Sequence, residues 1–172
     1  MKFGVICSET SEDRIVNYIE NEFSINTVPS TGGSDFDLVL NSLIFSVIDG
    51  DVKQIWGFLG DLKSNASGLI PPLVTKGSLR VIGSFEEGMA YRIFSDEQPV
   101  FFDAAAGWIC IGKRSNAKNG VEFLSGCIAF ISEFGLFETL WIKPVFICGG
   151  SAESGHLFLP QSGHLLRSKM VT

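Results

Sequence analysis

The chain has 172 residues and a mass of 18.7 kDa, the size of one domain with at most an appendage. Hydrophobic residues make up 45% and charged residues 19%, with 15 Phe and 3 Trp, which excludes a disordered or coiled-coil protein. Thirteen Lys plus Arg stand against 19 Asp plus Glu, a net charge of −6, so nucleic acid and anionic membrane surfaces are disfavoured as partners.

In chain order, Lys2 to Cys7 is short, apolar and β-rich, and Ser8 or Thr10 can cap a following helix. Ile15, Tyr18, Ile19 and Phe23 recur at helical spacing while Glu12, Asp13, Arg14, Asn17, Glu20 and Glu22 take the other side, which predicts an amphipathic helix. Asn26 to Ser34 reads as a loop through Pro29, Gly32 and Gly33. From Leu38 to Ile48 the apolar residues are too dense for period alone to decide, and helix is favoured over buried strand. Asp51 then reads as an N-cap for a helical stripe of Val52, Ile55, Trp56, Leu59 and Leu62, whose Gly57 and Gly60 would allow another backbone to approach closely. Ser64 to Thr75 is a second long loop.

Past residue 76 the chain turns to short β-rich runs. Leu79–Gly83 and Met89–Phe94 read as a hairpin about Ser84–Gly88, followed by Val100–Phe102 and Gly107–Gly112. Asn119-Gly120 is a turn dipeptide joining Trp108–Lys113 to Val121–Ile131, and Ser132–Gly135 leads into Leu136–Ile147, where Pro144 marks an edge strand or a bulge. Both faces of Cys127–Ile131 are apolar, so both need cover. The expected fold is therefore α+β: a mostly antiparallel meander of five or six strands with N-terminal helices packed on one face, over residues 1–148, and a flexible tail over 149–172.

No secretory h-region opens the chain, and the longest run free of charged side chains, 13 residues from Ser154 to Leu166, is too short to span a membrane, so a cytoplasmic protein is expected. Cys7, Cys110, Cys127 and Cys148 form no C-x-x-C unit and read as reduced core thiols. The two histidines, His156 and His164, both fall in the tail, which leaves the main body without the commonest general base. Gly107–Arg114 almost matches the phosphate-loop pattern, but Arg114 stands where magnesium needs a hydroxyl and the intervening residues are strand formers. Asp35, Asp37, Asp49 and Asp51 form two Asp-x-Asp pairs placed where caps and turns occur. No catalytic residue, metal or cofactor is expected.

Charge is distributed unevenly. Residues 1–61 carry 10 acidic and 3 basic side chains, net −7, and the remainder is nearly neutral. If those carboxylates share a face, their field accelerates association with a basic protein. In this general character the chain resembles bacterial toxin-immunity proteins. The analogy implies occlusion of a basic, nuclease-type toxin by Glu9, Glu12, Asp13, Glu20, Glu22, Asp35, Asp37, Asp49 and Asp51, with Tyr18 or Trp56 adding specificity if exposed. Two other readings are open. One is an enzymatic or small-molecule-binding domain with an apolar pocket between sheet and helices, using Tyr91, Arg92, Asp103 and Trp108. The other is an assembly subunit pairing through the edge strand Leu136–Ile147.

Overall fold

The computed structural model describes residues 1–8, 12–113 and 119–148. Among these there is no helix: the α+β expectation is corrected to an all-β fold. Its strands are β1 (Lys2–Cys7), β2 (Glu12–Ile19), β3 (Ser24–Val28), β4 (Phe36–Leu40), β5 (Leu43–Ile48), β6 (Asp51–Phe58) and β7 (Thr75–Ile82). They continue with β8 (Ala90–Arg92), β9 (Val100–Asp103), β10 (Trp108–Gly112), β11 (Asn119–Ser125), β12 (Cys127–Ile131), β13 (Phe137–Ile142) and β14 (Val145–Ile147).

Each of the three expected helices is a strand or a hairpin for a local reason. Residues 12–23 hold β2 and its turn, with Val16 and Tyr18 buried on one face and Ile15 half-exposed on the other; apolar residues at 15, 16, 18 and 19 satisfy either period. Residues 38–48 are two strands joined at Asn41–Ser42, where Asn41 takes φ 53° and Leu40 pairs with Leu43. In residues 51–62 the pairing runs Ser46 to Gln54 but Val47 to Val52, a bulge that carries Lys53 as an extra residue. The bulge lets Val52 and Ile55, three apart, both point inward, and so a strand acquires helical spacing.

Strands β6, β3, β2, β11 and β7 close a five-stranded barrel, and closure removes the free edges those strands would otherwise present. The last seam is thin: β7 meets β6 at the single pair Asp51–Arg80, beside a hydrogen bond from Val81 N to Gly50 O of 2.8 Å. From the barrel one wing runs β12–β13–β10–β9 and the other β5–β4–β8. Phe45, Phe123, Ile25, Leu38 and Leu79, all fully buried, belong to the one large core that both wings enclose. The expected hairpin over 79–94 is absent, because β8 lies parallel to β4. Asn119-Gly120 begins β11 rather than turning the chain, and the β11–β12 turn falls at Gly126, φ 73°. The expected last edge strand is two elements. Strand β13 has both edges paired, to β12 and β10, while β14 past Pro144 joins β2, so the stretch offers no open edge at β13.

The second face of β12 does need cover, and what covers it is the long β6–β7 connection in place of a helix. Leu69 from that connection is buried against Cys110, Ile128, Phe130 and Trp141 in a smaller core, while Cys127, Ala129 and Ile131 face the large one. Of the cysteines, Cys110 and Cys127 are buried as read, and burial pushes the Cys127 thiol up in pKa; Cys7 and Cys148 are exposed. Among the described residues no helix is long and apolar enough to cross a membrane, and no three His, Cys, Asp or Glu gather as a metal site.

Candidate functional site: an acidic and aromatic corner

The Asp49–Gly50 dipeptide joins β5 to β6 through a two-residue turn with both residues at positive φ, 53° and 78°, the conformation this pair favours. That turn brings Asp49 and Asp51 beside the entry to β4, where Asp35 and Asp37 lie. Asp49 N donates to Asp35 Oδ2 at 2.8 Å, and Asp35 N donates to Val47 O at 2.8 Å, so the two Asp-x-Asp pairs meet at Asp35 and Asp49. Asp51 sits on the barrel seam, accepting from Arg80 Nε at 2.8 Å with Lys53 Nζ at 3.7 Å. Arg80 Nη2 also reaches Asp49 O at 3.5 Å.

The segment after β7 completes the corner from the other side. Gly88 N donates to Asp35 O at 2.7 Å, and Glu86 N donates to the Tyr91 hydroxyl at 2.9 Å. Phe36 and Phe85 stack at 4.4 Å and 13°, and Tyr91 meets Phe85 edge-on at 5.1 Å, forming a rigid aromatic floor. Over it opens a groove of about 380 Å³ lined by Asp35, Phe36, Gly50, Val81, Phe85 and Glu87. Asp37, next in β4, is half-buried, and its Oδ1 has no hydrogen-bond partner. Asp35, Asp49, Glu86 and Glu87 are exposed. In this corner the ion pairs formed among the described residues are those on Asp51, so its remaining carboxylates give it a negative potential over an apolar base.

The other expected contacts lie elsewhere. Glu9 is outside the described residues, and Glu12 and Asp13 begin β2. Glu20 and Glu22 stand in the β2–β3 turn, by the far end of β6. Trp56 is 38% exposed and donates from Nε1 to Ser46 Oγ, whereas Tyr18 is buried and donates to Gly60 O at 2.7 Å. Sequence reasoning missed Phe36, Phe85 and Arg80 as members of the corner. The Asp-Gly turn signal pointed to the β5–β6 part of it, but the β4–β8 pairing that brings Tyr91 and the Phe85 loop has no local signature.

The four residues proposed for an apolar pocket are dispersed, and among the described residues there is no helix layer to enclose one. Tyr91 belongs to the corner floor and Arg92 is exposed on β8. Trp108 packs edge-on to Trp141 at 6.3 Å under Lys143. Asp103 is buried and structural: its carboxylate accepts from Leu69 N at 3.0 Å, Ala105 N at 3.0 Å and Ala106 N at 3.1 Å, pinning the cover over β12 to the β9–β10 turn. These donors, Leu69 N first, hold its pKa below the ordinary 3.8. A lowered folded pKa means that Asp103 stabilises the fold fully above the ordinary carboxylate range, and that this contribution is lost as pH falls through the folded value. Acid titration of unfolding free energy should therefore show a shallower loss between about pH 5 and pH 2 for Asp103→Asn than for the parent chain; equal slopes would remove Asp103 from the acid response.

Comparison with models of known protein families finds no match to this chain, and comparison with curated proteins finds none either.

Proposed function

We propose that the chain is a protein-binding module that takes a basic protein onto the acidic and aromatic corner. In its sharper form it is an immunity protein, acting in a cytosol by covering the basic active site of a nuclease-type toxin. The observation that carries the reading is the convergence of Asp35 and Glu87 on one groove over the Phe36–Phe85 stack, with the exposed Asp49 beside it through its backbone N–H to Asp35. Carboxylates at the rim steer and register a cationic partner, and a rigid aromatic base supplies a desolvated anchor point at little entropic loss.

The test is capture from the source lysate on the immobilised chain and on its Asp35→Asn/Asp49→Asn/Glu87→Gln variant, each asparagine or glutamine keeping an acceptor oxygen for the turn. A lysine- and arginine-rich protein should be retained by the parent and lost from the variant, and its association rate should fall about tenfold or more from 50 to 500 mM salt. In the immunity form that partner is a nuclease inhibited at equimolar ratio. Identical capture by both chains, or an association rate indifferent to salt, would dispose of the reading.

A further inference from the structure

A second groove lies at the other end of β6, about 480 Å³ in volume, where Tyr18, Phe102, Phe146 and Phe23 surround a space bordered by Glu20 and Asp61. Its base is fixed: Phe146 meets Tyr18 edge-on at 5.6 Å and lies tilted by 40° to Phe102 at 5.7 Å, and Tyr18 is locked by its hydroxyl bond to Gly60 O. Phe23 is the unexpected member. It closes the β2–β3 turn at φ 53°, a left-handed position that glycine or asparagine takes without steric penalty and a bulky ring does not. The ring is 45% exposed and stands apart from both cores, so core packing does not account for it. What the ring does is wall the groove. The cation recorded beside the carboxylates is Lys63, 3.2 Å from Asp61, but both side chains are exposed and such a pair is readily displaced.

We propose that this groove binds a quaternary ammonium group. Aromatic rings present negative faces to a cation, and two carboxylates at the border supply charge without entering the space. The base also favours a methylated cation over a primary amine: a primary ammonium needs three acceptors, the lining is mostly aromatic, and its one hydroxyl, Tyr18, donates to Gly60 O and is also met by the Leu62 backbone. The headgroup has two sources, a free quaternary amine or a trimethyllysine side chain on a protein, and the chemistry recognised is the same. The site is separate from the acidic corner and does not depend on the function proposed there.

The experiment follows amide shifts of the full chain under added choline chloride at constant ionic strength, with 3,3-dimethylbutan-1-ol as the neutral isostere and a trimethyllysine peptide as a second arm. Choline should shift Phe23, Asp61 and Ala104 saturably with a dissociation constant of ~1 mM, the isostere binding at least tenfold more weakly. Phe23→Gly should fold at least as well as the parent, since glycine adopts the turn freely, yet bind choline about tenfold more weakly; Phe23→Asn repeats the test with a second residue suited to that turn. Tighter binding of the peptide than of choline assigns the headgroup to a modified protein, and the reverse assigns it to a free amine. Equal binding of choline and isostere, no saturation by ~30 mM, or unchanged affinity in both Phe23 variants would overturn the proposal.

Discussion

Gly57→Ala destabilises the fold by about 4 kcal/mol or more, while Gly60→Ala, three residues on, costs about 1 kcal/mol. Both glycines have positive φ, 129° and 73°, so both substitutions carry conformational strain. They differ in what a β-carbon would meet. At Gly57 it would collide with the Ser42 carbonyl oxygen and lie 3.1 Å from Leu43 Cα, atoms of the neighbouring strand that cannot swing aside; at Gly60 nothing lies within 4 Å. Gly57 pairs with Leu43 on one side and Ile25 on the other, so a displacement there pushes β5 or β3 out of register and opens the barrel where it joins its wing. Thermal unfolding of both variants checks this. For a chain of this length the Gly57 variant should melt at least roughly 10 °C lower, and the Gly60 variant only a few degrees lower. Similar melting of the two would mean that strain in φ, and not the close approach of two backbones, decides the requirement for glycine.

Gly57 also shows how far local pattern carried. The close backbone approach expected of the two glycines in an apolar stripe holds at Gly57 and not at Gly60, and the stripe itself reads as a helix because the bulge at Lys53 spaces Val52 and Ile55 three apart. The Asp49-Gly50 dipeptide is a strong hairpin signal, of the same kind as Asn119-Gly120, and argues against a helix starting at Asp51. Given that turn, the β4–β5–β6 meander and the meeting of Asp49 with Asp35 follow from short-range geometry. The rest is non-local. The parallel pairings of β8 with β4, β11 with β2 and β7, and β14 with β2 join segments separated by long stretches of chain, and nothing within either segment specifies its partner. Both the Phe85 side of the acidic corner and the Phe102–Phe146 base of the second groove depend on such pairings. The apolar faces of β12 correctly demanded cover, but a loop anchored on β9 by Asn65 and by the buried Asp103 has no periodicity by which it could have been found.

Phe137→Ala should cost about 4 kcal/mol and Phe137→Leu about 1–2 kcal/mol. Phe137 opens β13 in the middle of its wing, and its ring meets three others: Phe3 of β1 at 5.3 Å, Phe45 of β5 at 6.1 Å and Phe94, between β8 and β9, at 6.2 Å. It thus joins the strand added to the barrel by β7, the wing that carries the acidic corner and the opposite wing. All three pairs are edge-on, the arrangement in which ring quadrupoles attract, and Phe45 is fully buried. Truncation to alanine leaves a cavity walled by parts of the sheet that are each fixed by their own ladders and collapse onto it poorly; leucine fills much of the volume but forfeits the edge-on contacts. A double-mutant cycle with Phe45→Ala isolates the ring pair, with an expected coupling of about 1 kcal/mol read from denaturant unfolding. Strict additivity of Phe45→Ala and Phe137→Ala would mean that the two wings are stabilised independently. A coupling of the expected size makes the Phe45–Phe137 pair a link between the wing bearing the acidic corner and the opposite wing, in addition to the β5–β6 ladder that joins the former to the barrel.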